Sequence, residues 1–114
     1  MTLKQLARIK ELIRACRRGA GNLRHRDLAS IATALGRRRS KQRTTEPTFE
    51  STVFDTNVIT IPDHSKGMKK WTALSILDQL EEDVFRWEAK MKREQKGRSS
   101  GNGYENGEDN DYED

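Results

Sequence analysis

The sequence predicts a small α+β protein, in which three antiparallel strands form a sheet that carries helices on one face. Two observations indicate this class. Apolar residues recur at helical spacing before residue 36 and again after residue 71, and two short runs rich in β-branched and aromatic residues lie between these regions. Because only 32% of the 114 residues are apolar and 35% are charged, we expect a modest core and one loosely ordered end.

Two helices are predicted before the sheet. Apolar residues from Leu3 to Cys16 fall on one helical stripe, and Gly19 with the residues after it should end that helix. A second helix is predicted from about His25 to Leu35, and Gly36 stands where a left-handed C-terminal cap belongs. Its expected core residues are Leu28, Ile31, Ala32 and Leu35.

The middle of the chain has the composition of strands. The stretch Arg37 to Arg43 is polar and charged, and it fits either an edge strand or a loop. Thr48 to Phe54 is predicted to be a strand, and Val58 to Ile61 is the clearest strand of the chain. Pro62 should end this last strand, because proline has no backbone N–H to donate to the sheet.

The last helix and the tail complete the predicted organisation. Thr72 is a plausible N-cap, and the stripe behind it should pack against the sheet or form a short coiled-coil seam. The predicted parts are an amphipathic N-terminal helix over residues 1–22, a domain over 23–96 and a disordered acidic tail over 97–114. The stripe consists of Ala73, Leu77, Leu80, Val84, Trp87 and Met91.

The charge distribution favours a nucleic-acid partner, and RNA is the ligand that we expect. Residues 1–44 contain thirteen Lys or Arg and two acids, whereas residues 100–114 contain six acids and no base. A positive region this dense attracts polyanions, although a solvated surface or a site for an acidic protein would have the same composition. The predicted phosphate-binding cations are Arg37, Arg38, Arg39, Lys41, Arg43, Lys66, Lys69 and Lys70.

Several other classes of function find little support. The apolar stretches are far shorter than a membrane span needs, and the single cysteine, Cys16, fits a reducing compartment, so we expect a cytoplasmic protein without a membrane partner. No metal-ligand spacing and no phosphate-binding loop occurs, so no metal and no cofactor is predicted. The acidic residues Asp78, Glu81, Glu82 and Asp83 are interpreted as the solvated flank of the last helix, and the oligomeric state stays open.

Metal-free cleavage of RNA sets requirements that few residues of this chain meet. The reaction needs a base for the 2′-hydroxyl proton, an acid for the leaving oxygen and cations around the phosphate. His64 lies in the loop after the clearest strand and beside Asp63, whereas His25 opens a helix and is expected to cap or pack there. Trp71 lies off the apolar stripe of its helix, so it stays open as a platform for stacking bases.

The segment that follows the clearest strand carries a family resemblance. It reads Ile-Thr-Ile-Pro-Asp-His-Ser over residues 59–65 and Gly-Met-Lys-Lys-Trp-Thr-Ala-Leu-Ser-Ile-Leu over residues 67–77. The order of a strand ending in Ile-Pro, a His-Ser loop, a basic residue and a Thr-x-x-x-Ile-Leu helix start resembles the HicA family, small toxins of bacterial toxin–antitoxin modules. The similarity covers about residues 26–87.

The resemblance implies a double-stranded-RNA-binding-like fold of order α-β-β-β-α, here with an extra N-terminal helix. It also implies an endoribonuclease that cuts messenger RNA and a partner antitoxin that covers its site. The family's catalytic histidine follows Gly-Ser where the first two strands meet, but residues 43–49 contain no histidine, and Glu46 falls closest to that place. Glu46 and His64 are therefore the candidate catalytic residues. A non-catalytic RNA-binding module and a basic protein-interaction subunit are the alternatives.

Overall fold

The fold is α+β, and the residues that the structure describes form three α-helices and one three-stranded antiparallel sheet. The computed structural model describes residues 1–41, 46–63 and 67–100, with side chains up to residue 94. Two compact units divide the chain, residues 1–84 and residues 85–114. The predicted residues Arg43, His64 and Lys66, and the tail from residue 101, lie outside the described residues.

Helices α1 and α2 form where the apolar periodicity predicts them. Helix α1 spans Leu3–Arg18, and a capping box joins Thr2 and Gln5, in which each side chain accepts a hydrogen bond from the other residue's backbone N–H. A short 3₁₀ turn, Ala20–Asn22, leads to α2 at His25–Ala34. The predicted apolar residues of α2 are buried, which confirms the second helix and its core face.

Gly36 turns the chain from α2 into the sheet. Its φ of 93° lies in the left-handed region, as the predicted cap requires, and its N–H donates to the Thr33 carbonyl at 3.0 Å. The Gly36 carbonyl then accepts two bonds from Thr52, one from the backbone N–H at 3.0 Å and one from the hydroxyl at 2.7 Å. One residue thereby ends the helix and ties it to the far end of a strand.

The sheet has the strand order β1-β2-β3, in which β1 is Arg37–Arg39, β2 is Thr48–Ser51 and β3 is Ile59–Thr60. For the charged stretch that begins at Arg37, the sequence allowed either an edge strand or a loop, and its first three residues form the edge strand β1. In this strand Arg39 lies opposite Phe49 of β2. Strand β2 is shorter than predicted, because the Ser51 hydroxyl accepts the N–H groups of Val53 and Phe54 at 3.2 and 2.9 Å and turns the chain there.

Strand β3 is also shorter than predicted. Its ladder ends at Thr60, which pairs with Thr48, and the Ile61 N–H donates instead to the Pro47 carbonyl at 3.0 Å. Pro47 has no N–H to continue the exchange, and Val58 on the other side is exposed and unpaired in the ladder. Strand β3 therefore contains only the two residues that pair with β2, Ile59 and Thr60.

Helix α3 spans Lys70–Ser100, so it begins before the predicted N-cap at Thr72, and its last four residues fall in the stretch predicted as tail. Its apolar stripe is buried from Ala73 to Val84, whereas Trp87 and Met91 are half-buried. Leu77 and Leu80 lie at the centre of the core of the first unit, with no exposed surface.

Helices α2 and α3 contact the same face of the sheet, as the layer prediction requires. Phe49 on β2 meets the ring of His25 from α2, with ring centres 5.9 Å apart. Arg37 on β1 pairs with Ser51, two residues from Phe49 on the same face of β2, and its guanidinium binds Asp83 of α3. Helix α1 packs on α2 and reaches α3 through the ion pairs of Arg17.

The Arg37–Asp83 pair is buried at the centre of this layer. The side chains are 2% and 1% exposed, and the guanidinium donates to both carboxylate oxygens, from Nε at 2.6 Å and from Nη2 at 3.0 Å. Nη1 donates to the carbonyls of Phe49 at 3.0 Å and Asn57 at 3.1 Å. Asp83 was interpreted as part of a solvated flank, and that interpretation is wrong because Asp83 neutralises a buried cation.

We predict that removing either Arg37 or Asp83 alone strongly lowers the free energy of unfolding. Asp83→Ala should lower the free energy of unfolding in urea by about 3–5 kcal/mol, because it leaves the Arg37 cation buried without a counter-charge. The exposed cross-strand pair of Arg38 and Glu50, 3.0 Å apart, is the matched control, and Arg38→Ala should cost about 0.2–1 kcal/mol. The double variant Arg37→Met with Asp83→Leu should recover most of the loss; equal costs for Asp83→Ala and Arg38→Ala would contradict the assignment.

Candidate nucleic-acid interface

The cations of β1 divide between the core and the surface. Arg37 was predicted to bind phosphate, but its guanidinium is enclosed and every nitrogen donates to a protein oxygen. We therefore remove Arg37 from the predicted interface. Arg38 and Arg39 are exposed, as is Lys41 after the strand. Arg38 also donates to Glu50, so it would have to give up this bond in order to contact a phosphate.

A second group of cations lies at the start of α3. Gly67 has a φ of 80°, and a Cβ there would approach the Leu23 carbonyl to 3.3 Å, so the chain passes close to residue 23 at a glycine. Met68 follows and is buried, which anchors the segment. Lys69, directly before α3, and Lys70, its first residue, are exposed, so the start of the helix presents two of the predicted cations to solvent.

Trp71 is the most exposed large apolar side chain among the described residues. It follows the two lysines directly, and 81% of its surface is accessible to solvent. The sequence left this tryptophan open because it falls outside the buried stripe of α3, and the structure places it on the opposite side from that stripe's core contacts. Tryptophan is costly to leave in water, so an aromatic this exposed marks a candidate contact surface.

Trp71 stands on the rim of an open groove of about 410 Å³. One wall is a single face of α3, whose residues recur at helical spacing, and the other wall comes from the end of β3 and the segment before β2. The lining combines hydroxyl, amide and carboxylate groups with the apolar surfaces of Pro62, Trp71 and buried Ile76. The lining residues are Glu46, Thr60, Pro62, Trp71, Thr72, Ser75, Ile76 and Gln79.

The candidate catalytic residue Glu46 lines this groove and is half-buried. Its position is set by Pro47, whose carbonyl accepts the Ile61 N–H, and by β2, which begins one residue later. The groove therefore brings together Glu46 and Trp71, two residues 25 positions apart that the sequence singled out for separate reasons. The other candidate, His64, lies outside the described residues.

His25 has the packing role that its position at the start of a helix predicts. Its Nδ1 lies 3.1 Å from the Ile61 carbonyl, and because a carbonyl only accepts, Nδ1 must carry the proton and donate. The ring also packs against Phe49. His25 thereby joins α2 to the end of β3, next to Pro62 on the groove wall.

The acidic residues of α3 have partners within the protein. Arg17 Nη2 lies 2.9 Å from Asp78 Oδ1 and 2.7 Å from Glu81 Oε1, so these carboxylates hold α1 against α3. Asp83 belongs to the buried pair. Among the residues that the structure describes, no group of three or more His, Cys, Asp or Glu side chains is placed to hold a metal ion.

The comparisons with known proteins return nothing that identifies this chain. No protein-family model matches it, and no curated protein and no solved structure is similar enough to count as a match. The HicA resemblance thus depends on the residues quoted for it. Within the described ranges, no helix has both the length and the apolar character that crossing a membrane requires.

Cys16 is poorly suited to act as a nucleophile. Burial raises the pKa of its thiol, and the negative charge of Asp27 raises this pKa further, so less thiolate is present at neutral pH than for a free cysteine. We predict that iodoacetamide alkylates Cys16 more slowly in the folded chain than in the urea-unfolded chain at the same pH. The midpoint of the pH–rate profile should also lie higher in the folded state, and a lower midpoint would contradict this account.

Proposed function

We propose that this chain is an RNA-binding protein of the HicA-like toxin type, which acts as an endoribonuclease on messenger RNA and is neutralised by a partner antitoxin. The arrangement of the described elements supports this proposal. The order α2-β1-β2-β3-α3, the meander β1-β2-β3 and the helices on one face are what a double-stranded-RNA-binding-like domain has. Helix α1 is then an addition to that domain, held to it by Arg17.

The observation that carries the proposal is the groove that both Glu46 and Trp71 line, with two exposed lysines directly before Trp71 in the chain. Metal-free cleavage begins when a base takes the proton of a 2′-hydroxyl, whose oxygen then attacks the adjacent phosphorus. The bond from phosphorus to the 5′-oxygen breaks, a 2′,3′-cyclic phosphate forms and the leaving oxygen takes up a proton. In this proposal Glu46 is the base, Lys69 and Lys70 balance the charge on the phosphate, and His64 supplies the leaving oxygen's proton.

The family's histidine is replaced here, and this favours a second candidate function, a non-catalytic RNA-binding module on the same fold. A carboxylate is a weaker base than imidazole near neutral pH, so the substitution lowers the capacity for chemistry without affecting the recognition of phosphate. Both functions use the same exposed cations, Arg38, Arg39, Lys41, Lys69 and Lys70. They differ only in whether bound RNA is cut.

The first test is cleavage. Purified chain incubated with total RNA in the presence of a chelator should produce fragments that end in 2′,3′-cyclic phosphate. Glu46→Gln should lower the cleavage rate about 10²- to 10⁴-fold, the range for loss of a general base, and His64→Ala should also lower it. Glu50→Gln is the matched control, because it removes an exposed carboxylate that pairs with Arg38 outside the groove.

Full-rate cleavage by both Glu46→Gln and His64→Ala would overturn their catalytic roles. Intact RNA in every lane, together with salt-sensitive binding, would establish the non-catalytic module instead. Loss of binding in every assay would leave the third class, a subunit whose basic half binds an acidic protein.

The second test is the salt dependence of RNA binding. Each phosphate that a cation neutralises contributes about 0.7 to the slope of log affinity against log salt for single strands. We predict that Lys69→Gln and Lys70→Gln each reduce this slope by about that amount. Lys92→Gln is the control, since Lys92 is exposed on α3 but lies in the second unit of the chain. Equal slopes for all three variants would contradict the placement of the interface at the start of α3.

A further inference from the structure

Trp71 of α3 is far more exposed than Phe49, an aromatic residue of the sheet in the same unit. Phe49 is 5% exposed and packs in the helical layer, whereas Trp71 is 81% exposed on the first turn of α3. Helix α3 already has its core side, which carries Ala73, Leu77 and Leu80. The indole is therefore not required for packing, and its flat surface is presented at the mouth of the groove.

The α3 wall of the groove is lined by hydrogen-bonding groups at regular intervals. Thr72, Ser75 and Gln79 follow one another at helical spacing on the same face as Trp71, and Ile76 closes the space between them. Gln79 Nε2 lies 3.3 Å from the Ser75 carbonyl and donates to it, which holds the amide along the wall. Across the groove, Thr60 adds a hydroxyl and Pro62 adds an apolar ring.

A flat aromatic at the mouth and a polar wall below it are the two features with which proteins recognise an unpaired nucleobase. The base stacks on the aromatic surface, and its edge forms hydrogen bonds with side chains. Lys69 and Lys70 are exposed and directly precede Trp71 in the chain, so their charges favour a ligand that carries phosphates beside such a base. An apolar peptide would offer no hydrogen-bonding partner to the hydroxyl groups of Thr60, Thr72 and Ser75 and would gain nothing from the two lysine charges.

We infer that this groove binds one unpaired nucleotide, whose base stacks on Trp71 and whose edge meets Thr72, Ser75 and Gln79, so that the RNA ligand is single-stranded. This inference rests on the proposed function and makes its substrate class specific. A base in a duplex is stacked between its neighbours and its edge is paired, so it cannot enter the groove without being unpaired. The chain would then select single strands although its fold is of a kind associated with duplex RNA.

The test compares one strand with its duplex. The probes are a fluorescent 12-nucleotide 2′-O-methyl oligoadenylate, which has no 2′-hydroxyl to attack and stays intact, and its duplex with 2′-O-methyl oligouridylate. Wild-type chain should bind the single strand more tightly than the duplex. Trp71→Ala should weaken single-strand binding about tenfold to hundredfold, the usual effect of losing one stacking contact, while Trp71→Phe keeps most of it. Duplex binding should not change.

Phe85→Ala is the matched control, because Phe85 is also an exposed aromatic of α3, 57% accessible, and does not line the groove. A second measurement reads the stacking directly. In a Trp87→Phe background, Trp71 is the one remaining tryptophan, and its fluorescence should be quenched when the oligonucleotide binds. Circular dichroism of each variant confirms that the fold is retained, as expected for so exposed a side chain.

The outcomes separate this inference from the proposed function. Salt-sensitive RNA binding that is the same in wild type and Trp71→Ala would overturn the base-binding groove and leave the RNA-binding proposal standing. A preference for the duplex, or no quenching of Trp71 at saturating oligonucleotide, would also overturn it. Absence of binding to both probes and to total RNA would overturn both proposals.

Discussion

The position of α3 on the sheet depends on one buried cation and its acceptors. Arg37 contributes its backbone to β1, and its guanidinium binds Asp83 of α3, the Phe49 carbonyl of β2 and the Asn57 carbonyl before β3. One side chain thus joins β1, β2, the segment before β3 and α3. The short ladders alone would hold these parts weakly, because β3 has only two paired residues. A buried ion pair adds little net stability over an apolar pair, but its directional bonds specify one arrangement of helix and strands. The groove has one wall on α3 and the other on β3, so its shape depends on that arrangement.

Hydrogen bonds outside the ladders hold the ends of the short strands in place. Gly36 holds Thr52, Ser51 turns the chain after β2, and His25 holds Ile61 beyond the end of β3. The bonds of Gly36 and His25 link strand ends to α2, and the Ser51 bonds fix the turn after β2, so the strand ends are held although only nine of the described residues belong to strands. The backbone bond from the Ile61 N–H to the Pro47 carbonyl joins the segments that supply Pro62 and Glu46 to the groove.

Local patterns were sufficient to predict the helices, the cap at Gly36 and the exposure of Trp71, because apolar periodicity and glycine's backbone freedom act over a few neighbouring residues. Local patterns could not predict the burial of Arg37 and Asp83. These two residues lie 46 positions apart, and each can be buried only because it is paired with the other. In the sequence, Arg37 has the same appearance as Arg38 and Arg39, and Asp83 has the same appearance as Glu82. The end of β2 was also predicted too late in the chain. The Ser51 hydroxyl accepts N–H groups that a longer strand would use in the ladder, and β-propensity does not take such side-chain bonds into account. The groove joins residues 46, 60 and 71–79, a proximity that only the tertiary fold creates.

Under the proposed function, the charges around the groove would favour one orientation of a bound strand. Lysines alone would attract any polyanion, duplex or single strand, because phosphate contacts carry no information about base pairing. Glu46 adds a negative charge to the lining of the groove, whereas the exposed Lys69 and Lys70 add positive charge directly before Trp71 in the chain. A strand with its phosphates in the groove is therefore disfavoured, and a strand with its phosphates toward the lysines and its base and ribose toward Glu46 is favoured. If Glu46 is the base, as proposed, cleavage requires the ribose 2′-hydroxyl to approach this carboxylate, and the proposed orientation of the strand meets that requirement.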